Sequence, residues 1–146
     1  MQISECMTKA VELAQPEMPL RQAAQKMRDG DFGFLPVVEY DKLIGVVTDR
    51  DITIRAVASG LDPDKAHVRE ILSEGLLYCF DDQSVEEIAE NMGKNQVRRL
   101  PVLNRQKRLV GVVSLGDMAR AKLADQEKEE VEQALSEIST PAYSKS

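Results

Sequence analysis

The chain has 146 residues, 42% of them apolar, and a formal net charge of −6. That length holds one ordinary domain or two closely packed halves with an adequate core, and the acidic balance makes nucleic acid an unlikely partner. No stretch approaches the roughly 18–20 apolar residues of a membrane span, and Met1-Gln2-Ile3-Ser4-Glu5-Cys6 has no secretory pattern, so a cytoplasmic protein with no membrane partner is expected.

Residues 1–10 are mixed, with one helical turn expected around Cys6-Met7. Val11-Glu12-Leu13-Ala14 alternates as a brief strand, and Gln15-Pro16-Glu17 turns the chain. A helix is predicted from Pro19 to about Asp29, with Leu20, Ala23, Ala24 and Met27 on its inner face. Pro19 suits its first turn and Gly30 its end. Leu35-Pro36-Val37-Val38 reads as a strand whose proline implies an edge or a bulge. The connection Glu39-Tyr40-Asp41-Lys42 is too short for a crossover, so the strand at 43–47 pairs antiparallel with it. A helix from near Asp49 turns Ile52, Ala56 and Val57 inward and stops at Ser59-Gly60.

After Leu61-Asp62-Pro63-Asp64 the order repeats. Val68–Leu72 matches the opening turn, and Leu76–Phe80 matches the brief strand. Ser84-Val85-Glu86-Glu87 reads as a capping box, opening a helix with Val85, Ile88, Ala89 and Met92 inward, each 65 positions after its counterpart. Leu100-Pro101-Val102-Leu103 follows at the same offset. One extra residue in the second hairpin turn raises it to 66, and turns are where insertions belong. The unit is strand, helix, strand, strand, helix. One copy cannot bury both its helices and its sheet, so two copies should pack face to face: an α+β fold with repeat one at 1–62, repeat two at 63–123, and an acidic helix and tail at 124–146. The added helix, 125–138, carries Val131, Leu135 and Ile138 as a narrow apolar stripe.

The repeat is sharpest in Gly45-Val46-Val47-Thr48-Asp49-Arg50-Asp51 and Gly111-Val112-Val113-Ser114-Leu115-Gly116-Asp117. Each is the end of a strand entering a helix. The hydroxyl serves as N-cap, and the Asp three residues on can reach back to the cap amide. On spacing alone, two helix caps suffice. The same geometry, duplicated, also suits a ligand: free amides for phosphate and a hydroxyl–carboxylate pair for a ribose diol. Lys94 to Arg108 holds six basic residues and no acid, whereas Asp125 to Ile138 holds six acids and one Lys. The basic run reads as a solvated loop or as a patch facing a ligand phosphate. Cys6 and Cys79 form no CxxC and are expected reduced and packed. His67 has no partners at metal-ligand spacing and is expected exposed between the halves.

These pieces, with Cys6-Met7-Thr8 and Val97-Arg98-Arg99-Leu100-Pro101-Val102, resemble the tandem CBS domain, named for cystathionine β-synthase, over about residues 5–122. Within that family the chain resembles the small stand-alone bacterial members. The resemblance implies a pseudo-twofold pair with two clefts between the repeats, a homodimer, and adenosine-containing ligands: AMP, ADP, ATP, NAD(H) or S-adenosylmethionine. It places the ribose on Thr48 and Asp51 in one cleft and on Ser114 and Asp117 in the other. It places the base near Leu13-Ala14 and Leu35-Pro36, and near Tyr78-Cys79 and Leu100-Pro101. Arg50, Arg98 and Arg99 are phosphate candidates, with surface salt bridges as the competing account. Repeat two has Leu115-Gly116 where repeat one has Asp49-Arg50, so its cleft should hold fewer phosphates or prefer a neutral adenosine. No metal cluster, Cys/His nucleophile or Walker-type loop stands in the sequence, so no enzyme, no required cofactor and no metal are expected. Two readings result. One is a nucleotide-sensing regulatory module acting on a separate partner protein. The alternative is a ligand-free dimeric scaffold.

Overall fold

A computed structural model describes residues 1–9, 11–73 and 77–139, with side chains as far as residue 137. The expected strand start at Leu76, the apolar contribution of Ile138 and the tail at 140–146 lie outside the described residues and side chains.

In chain order the elements are a 3₁₀ turn Ile3–Glu5, α1 (Leu20–Gly30), β1 (Phe34–Glu39), β2 (Lys42–Thr48), α2 (Asp49–Asp51) continued by a π-helical stretch Ile52–Val57, a 3₁₀ turn Val68–Glu70, β3 (Cys79–Phe80), α3 (Val85–Asn95), β4 (Arg99–Leu103), β5 (Leu109–Ser114) and α4 (Leu115–Ser139). β1 and β2 pair antiparallel from Phe34↔Thr48 to Glu39↔Lys42. In the second sheet β4 is central, parallel to β3 and antiparallel to β5. The expected first strand at 11–14 is reduced to one parallel bridge, Ala14↔Val37, the counterpart of Cys79↔Val102.

Pro101 stands on the central strand of its sheet, whereas Pro36 stands on one of only two strands with the Ala14 bridge beyond it, and bulges follow at Val37/Val38 and Val102/Leu103. Pro36 turns its carbonyl toward Ala14, whose amide donates to it at 2.9 Å. Its missing N–H therefore faces the side where pairing has only begun, and no ladder bond is lost.

α1 buries Leu20, Ala23 and Met27 but leaves Ala24 exposed; α3 buries Val85, Ile88 and Met92. The left-handed positions that end them are Asp31 (φ 54°) and Gln96 (φ 55°), so Gly30 is only the last helical residue. Ser84 caps α3 by accepting from the Glu87 amide at 3.2 Å. Glu87 does not complete a box; its carboxylate instead accepts from Gln83 Nε2 at 3.2 Å.

After α2 the helix widens. Ala58 N donates to Thr53 O and Leu61 N to Ala56 O, both 3.0 Å and both five residues back. The wider turn keeps Ile52 and Ala56 on the core but swings Val57 out to 65% exposure, against the expectation from ordinary helical spacing. The acidic segment is not a separate helix. Lys122-Leu123-Ala124-Asp125 contains no breaker, so α4 runs unbroken for 25 residues, with Met118 buried near its start and residues 122–137 exposed.

The cores do not divide at residue 62. One collects Ala14, Leu20, Leu35, Val37, Val47 and Ala56 with Ala66, Val68 and Ile71. The other collects Cys79, Val85, Ile88, Leu100, Val102 and Val113 with Ile3. Each opening turn thus packs on the other repeat. The backbone fixes the exchange: Ile3 N donates to Gln83 O at 2.9 Å and Thr8 N to Val112 O at 2.9 Å. In the other half Val68 N donates to Met18 O at 2.9 Å and Ser73 N to Val46 O at 3.0 Å. His67 begins one such turn half-buried, its amide donating to Glu70 at 2.6 Å, as Gln2 does to Glu5 at 2.6 Å.

Cys79 is 1% exposed, and burial pushes its thiol up to about 12 from the ordinary 9.0. Cys6, half-buried, is raised by burial and then by Asp117 and Glu5 nearby. A raised folded-state pKa means the native thiol keeps its proton after the unfolded one has lost it. The stabilisation is complete below pH 9 and is lost as pH rises toward 12. In urea melts, the advantage of wild type over Cys79→Ala is expected to shrink by about 1.4 kcal/mol per pH unit above 9. An advantage that stays constant across that window contradicts the burial assigned to this thiol.

Candidate functional site

Both strand-to-helix junctions form complete capping boxes. Thr48 Oγ1 accepts from Asp51 N at 3.1 Å, and Thr48 N donates to Asp51 Oδ2 at 3.0 Å. Ser114 Oγ accepts from Asp117 N at 3.0 Å, and Ser114 N donates to Asp117 Oδ2 at 3.0 Å. Capping engages one carboxylate oxygen of each Asp. The other differs between the copies. Asp51 Oδ1 faces the Ser73 hydroxyl at 3.4 Å and Arg55 at 3.8 Å. Asp117 Oδ1 is taken by Arg120 at 2.7 Å.

The glycine that opens each motif is explained by the exchanged turns. A Cβ on Gly45 would stand 2.8 Å from Ser73 O, and one on Gly111 would stand 2.7 Å from Thr8 O. The opening segment of the other repeat crosses directly over each glycine. Gly33 has a different reason: a Cβ there would stand 2.5 Å from the Asp49 carboxylate, while Asp49 N donates to Gly33 O at 3.0 Å.

Between the repeats lies an open cleft of about 800 Å³. Repeat one contributes Thr48, Asp49 and Arg50; repeat two contributes Arg98, Arg99 and Pro101. The three arginines are exposed, and among the described residues none pairs with an acid and Asp49 is the one acid on the wall. The cleft is a cationic recess with a hydroxyl at a helix start, suited to a phosphate-bearing ligand.

Of the residues singled out from sequence, Thr48, Arg50, Arg98, Arg99, Leu100 and Pro101 are brought together on this wall. Asp51 stands behind Thr48, its side chain 12% exposed. Leu35 and Pro36 are fully buried beneath the sheet surface and present no side chain to the cleft. Ser114 and Asp117 form a separate corner covered by Arg120. Tyr78 is not on the cleft wall; it lines a smaller recess of about 300 Å³ with Met92 and Val97. Sequence reasoning missed Gly33, Phe34, Ser73, Leu77 and Gln96. Gly33 and Phe34 were findable, because they align with Arg98 and Arg99 at the offset of 65.

The CBS domain model matches residues 3–57 and 68–124. The chain belongs to the CBS domain family. Hypoxic response protein 1 of Mycobacterium tuberculosis is 43% identical over 102 residues, covering 69% of this chain and 71% of that protein. The crystal structure of Hypoxic Response Protein I with two coordinated zinc ions matches with a TM-score of 0.75 at 38% identity, over 82% of this chain and 98% of that one. The CBS domain pair of protein MJ0100, in complex with 5-methylthioadenosine and S-adenosyl-L-methionine, matches with a TM-score of 0.73 at 25% identity, over 86% of this chain and 98% of that one. Among the described residues here, no group of three or more His, Cys, Asp and Glu side chains is placed to hold a metal ion. No described helix is long and apolar enough to cross a membrane.

Proposed function

We propose that this CBS pair is a regulatory sensor, not a catalyst: it binds an adenosine-containing nucleotide in the arginine-lined cleft and signals its occupancy to a separate partner protein. The observation that carries the reading is the convergence of Arg50, Arg98 and Arg99, unpaired among the described residues, around Thr48 in a recess of ligand size. The adenosine ligands of the MJ0100 pair support the class. Thr48 would hold the ribose together with Asp51, whose Oδ1 would exchange its long contacts to Ser73 and Arg55 for a ribose hydroxyl; the arginines would hold phosphates. This charge favours ADP, ATP or NAD(H) over S-adenosylmethionine. In the Ser114/Asp117 corner, Arg120 must leave Asp117 before a ribose can enter, so the first ligand on each chain is expected in the Thr48 cleft. A thermal-shift panel with AMP, ADP, ATP, NAD, NADH and S-adenosylmethionine tests this. A ligand that binds only the folded chain raises its stability by about 2.7 kcal/mol at a hundredfold excess over Kd, so a clear upward shift is expected with the polyphosphates. A flat panel on folded protein rejects the reading.

The homodimeric scaffold is the second reading, and one observation favours it. The π-helical stretch exposes Ile54 at 49% and Val57 at 65%, two large apolar side chains on one short helical segment. We propose that a second copy covers them. Sedimentation of Ile54→Glu/Val57→Glu is expected to show monomer where wild type shows dimer; an unchanged dimer places the interface elsewhere.

A further inference from the structure

The two hairpins β1–β2 and β4–β5 have a second end. From the cleft at Phe34 and Thr48, β1 runs roughly 17 Å to its turn at Tyr40-Asp41. There the tips of the two hairpins stand side by side and enclose a groove of about 620 Å³, lined by Tyr40, Lys42, Tyr78, Leu103, Lys107 and Arg108, with Asp41 its one acid among the described residues. Neither Lys42, Lys107 nor Arg108 pairs with an acid among the described residues, in a chain whose net charge is −6.

Tyr40 is the unusual member. It occupies the left-handed region (φ 50°) at a two-residue turn, where Asn, Asp or Gly is the residue that fits. A bulky side chain there is strained. It is also 91% exposed, so packing does not account for it. The opposite wall is held firmly. Tyr78 packs edge-to-face on Phe80 with centroids 5.6 Å apart; Arg105 lies 4.1 Å over the Phe80 ring and is fixed by Asp82 at 2.8 Å. The second tip is closed by Asn104, whose Oδ1 accepts from Gln106 N and Arg108 N at 3.0 Å each. The site therefore sets two tyrosine rings and three cations around one groove, one wall of it braced.

We infer that this hairpin-end groove is a second binding site, separate from the cleft, for a small molecule that joins a flat ring to phosphate. A ring stacks on tyrosine whatever its identity, and Lys107, Arg108 and Lys42 supply the anion contacts. The inference does not rest on the cleft reading, since the two sites share no residue.

The chain has three tyrosines and no tryptophan, so tyrosine emission reports a ligand at this groove. The probes are ADP and inorganic pyrophosphate, titrated into Arg50→Ala/Arg98→Ala, which disables the cleft. ADP is expected to bind this variant and to change its tyrosine emission. Adding Lys107→Ala/Arg108→Ala should weaken that event at least tenfold. Tyr40→Gly, which suits the turn, should weaken ADP severalfold and leave pyrophosphate unchanged. An absence of any ADP response at millimolar concentration, or a response indifferent to Lys107 and Arg108, overturns the site. Equal behaviour of ADP and pyrophosphate, with no effect of Tyr40→Gly, also overturns it, because the groove would then be a bare anion patch. Failure of the cleft alone looks different: wild type then shows only the event that the hairpin substitutions remove.

Discussion

Gly111→Ala is expected to unfold at least several degrees below wild type, whereas Gly93→Ala should unfold slightly above it. The two glycines carry the same substitution into opposite surroundings. At Gly111 the new methyl would stand 2.7 Å from Thr8 O and 2.9 Å from the Met7 sulfur. The sulfur can move; the carbonyl cannot without breaking the pair in which Thr8 N donates to Val112 O at 2.9 Å and Val112 N to Thr8 O at 3.0 Å. Overpacking plus weakened hydrogen bonds costs roughly 2–4 kcal/mol, on the order of 3 °C of melting temperature per kcal/mol at this chain length. Gly93 lies inside α3 with nothing within 4 Å of its added Cβ, so Ala there gains about 0.5–1 kcal/mol of helix stability. Gly45→Ala should resemble Gly111→Ala and also disturb the cleft, because the displaced carbonyl belongs to Ser73, whose hydroxyl faces Asp51 at 3.3 Å. Thermal melts of the three variants check the set. A Gly111→Ala that melts with wild type refutes the close crossing of the exchanged segment.

That crossing marks where the sequence stops being informative. The repeat, both hairpins and the two capping boxes were legible, because each is written in local spacing: 65 or 66 positions between copies, and a hydroxyl three residues before an Asp. Which copy each opening turn packs against was not legible. Ile3 and Val68 have the same pattern whether they join their own sheet or the other, and only long-range backbone pairing decides. The inward placing of Val57 failed because it assumed ordinary helical turns, and nothing in Ile52–Val57 announces the wider one. The cleft was half legible. The motif pointed to Thr48 and the basic run to Arg98 and Arg99, but that these face one recess depends on the tertiary fold. Asp51 and Asp117 are identical in motif and differ in availability, because Arg120 stands three residues after one and Arg55 four after the other.

Arg98→Ala and Asp51→Ala should part company when stability and ligand response are measured together. Arg98 is exposed and makes no ion pair among the described residues, so its removal should leave the melting temperature of the free protein unchanged. Its loss should weaken ADP and ATP by roughly 10–100-fold, the value of a charge-assisted contact to phosphate, with a smaller loss for AMP. Arg50→Ala should behave the same way, and added salt should narrow both differences. Asp51 is different in kind. Its carboxylate caps the helix through Thr48 N at 3.0 Å, so Asp51→Ala lowers the free protein's stability by about 0.5–2 kcal/mol before any ligand is added. A weaker ligand shift in Asp51→Ala alone would therefore be ambiguous between a lost ribose contact and a loosened cap. The arginines remove that ambiguity, since their side chains make no ion pair among the described residues. If both arginine variants keep the wild-type ligand shift, the cations around Thr48 are solvated surface charges and the cleft is not where the nucleotide sits. If both lose it while melting normally in the free state, the phosphate lies between Arg50 of repeat one and Arg98 of repeat two. The ligand then spans the two repeats, and its occupancy biases their relative position, which is what a partner protein can read.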